Sequence, residues 1–172
     1  MPCNFHRPPP PLPIVTTAST TPRDLTAMND IQIDLVQRAW DQLSYDRDQF
    51  THDIYDALFR LDPSLRPMFS LPQERLVQNL GRTLNTVLTS LHDLDSIRFI
   101  IIGLGAQHYR YGVQPEHFAI LKAAMTEVLQ QHLGKQLTPE LAEAWSQAYD
   151  LIAGLMQQGL AQAAARAQAA RP

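Results

Sequence analysis

From Ile33 to Met156 the apolar residues recur at steps of three and four, and no stretch alternates singly between turn residues. That period marks amphipathic helices, so the expectation is an all-α protein. Ile33, Val36, Trp40 and Leu43 predict a first helix of about 14 residues. Phe50, Ile54, Tyr55, Leu58, Phe59 and Leu61 predict a second, which Asp62-Pro63 stops. After a short proline-punctuated piece, Ser70-Leu71-Pro72-Gln73 has the form of a capping box with proline inside the first turn. It would open a helix whose apolar positions are Leu76, Leu80, Leu84, Val87, Leu88 and Leu91. The next helix is expected from about Ser96 to Tyr111, with Gly112 at its stop. Gln114-Pro115-Glu116 starts another, carrying Phe118, Leu121, Met125, Val128 and Leu129 and ending at Gly134. Thr138-Pro139-Glu140 starts the last, with Leu141, Trp145, Tyr149, Ile152, Leu155 and Met156. Six or seven helices with short connections predict a globule rather than an up-and-down four-helix bundle.

The two ends of the chain depart from this pattern. Seven of the 13 prolines fall within residues 1–28, where Pro8 to Pro13 is followed by a threonine-rich run. Such sequence favours polyproline II and coil, so 1–28 is expected to be a disordered tail. Docking of the prolines on an aromatic groove elsewhere, or a start of synthesis at Met28, are alternatives the sequence leaves open. Prolines occupy the place of an apolar signal segment, so the tail does not read as a secretory leader. Residues 161–172 are alanine-rich and predict a helix end fraying into solvent beyond a folded unit of 29–160.

Composition narrows the function classes. No run approaches the roughly 18 apolar residues of a membrane-spanning helix. The chain has 172 residues, a net charge of −3 and one cysteine, Cys3. A mildly acidic chain carries no electrostatic footprint for nucleic acid, and a lone cysteine forms no internal disulfide. The expectation is a cytoplasmic protein, monomer or homodimer.

Six histidines are present, and His108 stands apart: it shares a helix face with Ile101, Leu104 and Gly105. A buried imidazole needs a partner for each ring nitrogen. A metal could take one while the Leu104 carbonyl, four residues back, accepts the N–H of the other. A core histidine satisfied by protein hydrogen bonds fits the same face and is the commoner arrangement. His52, His117 and His132 sit among polar residues and read as surface. Phosphate loops, nucleophile elbows and zinc-protease motifs are lacking, so no catalytic residue is assigned.

Three segments in order carry a family resemblance: Phe50 to Phe59, Asp62 to Phe69, and Gln107-His108-Tyr109-Arg110-Tyr111-Gly112-Val113-Gln114-Pro115-Glu116-His117-Phe118. With Ala144 to Tyr149 they make residues 30–160 resemble the bacterial single-domain globins and the haem domain of flavohaemoglobins. The resemblance implies a globin fold of six to seven helices around haem b. It implies His108 as the iron ligand, Phe69 wedged against the porphyrin, and Tyr55 as the hydroxyl facing bound gas. Leu76 takes the distal position and Leu80 the next turn, with Leu104, Val113 and Phe118 completing the haem contacts.

Two departures bear on chemistry. The distal residue in flavohaemoglobin-like proteins is usually glutamine, and here it reads as Leu76, with Gln73 and Gln78 nearby. Tyr55 is then the one side-chain donor to a bound gas, worth about 1 kcal/mol. The family's proximal tyrosine and glutamate correspond to Phe118 and Leu160, which neither donate nor accept. The expected function is reversible binding of dioxygen, nitric oxide or carbon monoxide at a pentacoordinate iron. Nitric oxide dioxygenation with an external reductase comes second, and a globin-shaped gas-sensing or interaction module third.

Overall fold

The computed structural model describes residues 28–170, so the proline-rich stretch of the expected tail lies outside the described residues. Six α-helices and four short 3-10 turns make up the fold, with no strand among the described residues. Helix α1, Asp30–Leu43, opens on a capping box that the apolar period does not announce. Asn29 Oδ1 accepts from the Gln32 N–H at 3.0 Å and Gln32 Oε1 accepts from the Asn29 N–H at 3.1 Å. Helix α2, Arg47–Leu61, stops where expected: the Asp62 carboxylate accepts from the Ser64 N–H and starts the 3-10 turn Pro63–Met68.

Helix α3, Gln73–Thr89, begins differently from the expectation. Ser70 caps nothing. Pro72 stands before the helix rather than inside it, and its carbonyl accepts from the Arg75 and Leu76 N–H groups. Leu91 likewise falls outside α3, in the turn Leu91–Asp93. Helix α4, Leu94–Arg110, is followed by a turn through Tyr111 and Gly112, whose φ of +82° suits a residue without Cβ. Helix α5 spans Pro115–Leu133, and α6, Pro139–Ala169, is capped by the Thr138 hydroxyl. The alanine-rich segment continues α6 as regular helix, largely exposed.

Two packing devices position the site. Trp40, Phe50 and Ile54 are 0–1% exposed and join Val36 and Val128 in a closed core under α1, α2 and α5. Each such side chain contributes roughly 1.5–3 kcal/mol of burial. On the other side, α4 lies against α6 so closely that backbones touch. A Cβ on Gly105 would overlap the Met156 carbonyl, and one on Gly159 would overlap that of Ile102. That contact fixes the placement of α4 three residues before His108.

Candidate functional site

Between α3 on one side and α4, α5 and α6 on the other the helices leave a cavity of about 660 Å³. Small-molecule sites run roughly 300–1,000 Å³, so the space is large enough to be a binding site rather than a packing defect. Tyr55, Phe69, Leu76, Leu80, Leu104, His108, Val113 and Phe118 all line it. These are the residues the sequence singled out. Leu160 does not line it; it is buried behind Phe118 with Ala153.

The spacing of α3 explains the cavity wall. Val77 is buried, and Gly81 packs against the Arg47 side chain of α2. One position round the helix, Leu76, Leu80 and Leu84 are only partly buried, because they look onto the open space. Gln73 reaches outward to the Asp56 carboxylate at 3.4 Å and Gln78 is exposed, so neither glutamine lines the cavity. Tyr55 of α2 brings a hydroxyl to this side, besides the Asn79, Arg82 and Thr83 side chains of α3. Its hydroxyl points inward and donates to the Leu76 carbonyl at 3.4 Å, a long bond that a better acceptor can displace. Burial pushes its phenol up to about 12, so it remains a hydroxyl donor at neutral pH. Phe59 stacks on the ring at 6.0 Å and Phe69 meets it edge-on at 5.6 Å, which holds the hydroxyl in place.

Across the cavity, His108 Nδ1 lies 2.8 Å from the Leu104 carbonyl oxygen. A carbonyl only accepts, so Nδ1 carries a proton, and in the neutral ring Nε2 keeps its lone pair. No group among the described residues hydrogen-bonds Nε2, and the half-buried ring lines the cavity. A lone imidazole with its second nitrogen oriented by a backbone carbonyl, beside a wide apolar space, fits an iron porphyrin, which brings its own four nitrogens. On the Phe118 side, Tyr149 also lines the cavity. Its hydroxyl donates to the Phe118 carbonyl at 2.6 Å, and burial, with Asp150 adding to it, raises the phenol well above its ordinary value.

Some site residues were not legible in the sequence. Arg82, Tyr111, Gln107 and His117 line the cavity as well. The polar surroundings of His117 suggest a surface residue; its Nδ1 instead accepts from the Gln114 N–H at 3.2 Å, which turns the ring inward. The Gln114-x-x-His117 spacing of a helix start was the available signal. His132, also expected at the surface, is half-buried and bonded at 2.7 Å to the Asp53 carboxylate of α2. His52, also expected at the surface, is partly buried beside Asp53 and Asp56.

The fold and cavity define an all-α protein built around one large internal binding space. The Globin family model matches residues 52–156, and the chain belongs to the globin family, for which haem binding is a general property. Neuroglobin of Tetraodon nigroviridis is 25% identical over 142 residues, covering 74% of this chain and 89% of that protein. An anaerobic nitrite reductase of Oryza sativa subsp. indica is 25% identical over 144 residues, covering 79% and 98%. Among solved structures, an engineered carbene transferase made from a proposed nitric oxide dioxygenase of Rhodothermus marinus superposes with a TM-score of 0.76 at 25% identity, covering 83% of this chain and 99% of that one. A bacterial globin of Campylobacter jejuni gives 0.70 at 19%, covering 78% and 97%, a likeness of fold. No described helix is long and apolar enough to cross a membrane.

Proposed function

We propose that this chain is a haem b globin of the bacterial single-domain type, working in the cytoplasm, that binds a diatomic gas reversibly. The observation that carries the reading is the Nδ1–H bond of His108 to the Leu104 carbonyl, with the ring on the cavity wall and no hydrogen-bond partner at Nε2 among the described residues. His108 is the iron ligand, and Phe69, Leu76, Leu80, Leu104, Val113 and Phe118 hold the macrocycle by apolar contact. The bound iron supplies a coordination position for dioxygen, nitric oxide or carbon monoxide. Tyr55 exchanges its long bond to the Leu76 carbonyl for a hydrogen bond to that gas. Residues 29–160 form the globin unit. Titrating the apoprotein with haem tests this: the Soret band should saturate at one equivalent, and His108→Ala should leave haem weakly held and exchangeable. Uptake unchanged by that substitution would remove His108 from the role.

Nitric oxide dioxygenation with a separate reductase is the second reading, supported by the name of the Rhodothermus marinus relative. It ranks second because Phe118 and Leu160 offer no polar partner to the ligand histidine, and Tyr149 has committed its hydroxyl proton to a backbone carbonyl. Catalytic consumption of nitric oxide by the reduced protein, faster than reductase alone, would raise it to first.

A further inference from the structure

The outer face of α4 carries apolar side chains that no other described residue covers. Phe99 and Ile100 are 72% and 52% exposed, and Tyr111, in the turn after the helix, is 54% exposed. Helical spacing sets Ile100, Gly103, Gln107 and Tyr111 along one line, with Phe99 beside it. Gly103 adds no side chain to shield them. An exposed apolar strip rimmed by Asp95, Gln107 and Arg110 marks an interaction surface. The chain enters the fold close by. Met28 packs on the core, and His92, in the turn just before α4, lies 3.8 Å from the Asp30 carboxylate and 3.4 Å from that of Asp34. Residues 1–27, which precede the described chain, therefore join the fold beside the start of α4. Phe99 and Ile100 lie about 8 Å of helix rise beyond that start.

We propose that the proline-rich segment from Arg7 to Val15 of this same chain docks along the outer face of α4, with Arg7 beside Asp95 and Val15 toward Tyr111. Polyproline II repeats every three residues, so Pro8, Pro11 and Ile14 share one edge and Pro9, Leu12 and Val15 the next. One side of the segment is then continuously apolar. Pro8 to Val15 spans about 22 Å in that form, and Phe99 to Tyr111 spans about 18 Å, so the two strips match in length. The chain from Val15 to Met28 extends to about 45 Å, enough to return along the strip to the start of α1. Charge agrees with this placement. Arg7 and Arg23 against Asp24 leave residues 1–27 one positive charge, whereas the rest of the chain, with 12 Lys/Arg and 16 Asp/Glu, carries four negative ones. Asp30, Asp34, Asp93 and Asp95 stand where the segment meets the fold. Tethering gives the segment an effective concentration of about millimolar, so a contact too weak to hold a separate peptide is populated. A second copy would bring the same strip a like net charge and no tether.

Cys3 is the single cysteine, so a benzophenone maleimide attaches to the full-length protein at one defined place near Arg7. Irradiation should join Cys3 to residues 94–103 within one monomer, read by peptide mass mapping. Phe99→Ser together with Ile100→Ser changes side chains that are already exposed, and should cut that product about fivefold while the circular dichroism spectrum stays the same. Arg7→Glu should cut it about twofold. Pro8→Ser, Pro9→Ser, Pro10→Ser and Pro11→Ser together keep the tether length and should scatter the cross-links over the domain. Cross-links already scattered in the native chain, or gathered on another face, would overturn the docking. So would a product found only between two chains, which assigns the strip to a second copy, or an α4 product that none of the variants reduces.

Discussion

Apolar side chains do two different things on the two sides of α3. Under α1, α2 and α5, Trp40, Phe50 and Ile54 are sealed from solvent. On the cavity side, Leu76, Leu80 and Leu84 are only partly buried, although their spacing is that of any core stripe. The first region is closed by protein alone; the second borders the cavity. A stripe read from sequence reports that a face is apolar, without reporting what covers it.

Substitutions should divide along that line. Phe50→Ala should lower stability by about 3–5 kcal/mol in urea unfolding, with or without haem. Leu80→Ala should lower it by about 1 kcal/mol in the apoprotein, since its side chain is already half exposed to the cavity. The haem-loaded protein should feel Leu80→Ala more. Equal apoprotein losses for the two would erase the distinction.

Two glycines on α4 sharpen it on a smaller scale. Gly105→Ala should cost about 3 kcal/mol, because its methyl meets the Met156 backbone carbonyl, which cannot move aside as a side chain could. Gly103, two residues earlier, has nothing within 4 Å of where a methyl would sit, and Gly103→Ala should stabilise by about 0.8–1 kcal/mol. Thermal unfolding of both variants checks the pair.

Within the cavity, Tyr55→Phe should keep haem and speed dioxygen release roughly five- to tenfold, the value of one neutral hydrogen bond. Stopped-flow displacement reads this directly, and an unchanged rate would remove Tyr55 from gas binding. The smallest effect belongs to the closed side. Burial alone would raise the Asp53 carboxyl, but hydrogen bonds from His132 and Gln49 and the charge of His132 hold it below its ordinary value. A lowered carboxyl stabilises the fold above its unfolded pKa of about 3.9 and loses that contribution as pH falls through the folded value. Asp53→Asn should therefore be less stable than the native chain at pH 7, with the gap narrowing below about pH 4.

How much was legible in the sequence follows the range of each interaction. The helices were, because their period and most of their start and stop signals lie within a few residues: Asp62-Pro63, Gly112 and Thr138 each act where expected. The start of α3 was missed because Pro72 needs no side-chain cap, leaving the serine two residues earlier as a misleading signal. His108, Tyr55, Phe69 and the leucines were found as a face and a resemblance, and the cavity gathers them. Arg82 was missed because it lies off the leucine stripe and reaches the cavity by its length. His132 was missed because its partner, Asp53, is 79 residues away.

The central claim is that His108 holds an iron whose opposite side is open to gas. Visible absorption of the haem-loaded protein, reduced and then exposed to carbon monoxide, tests it with His108→Ala alongside. A five-coordinate ferrous spectrum giving a sharp carbon monoxide band, both lost or altered in the variant, is the predicted result. A six-coordinate ferrous spectrum before carbon monoxide is added, or identical spectra for the two proteins, would contradict it.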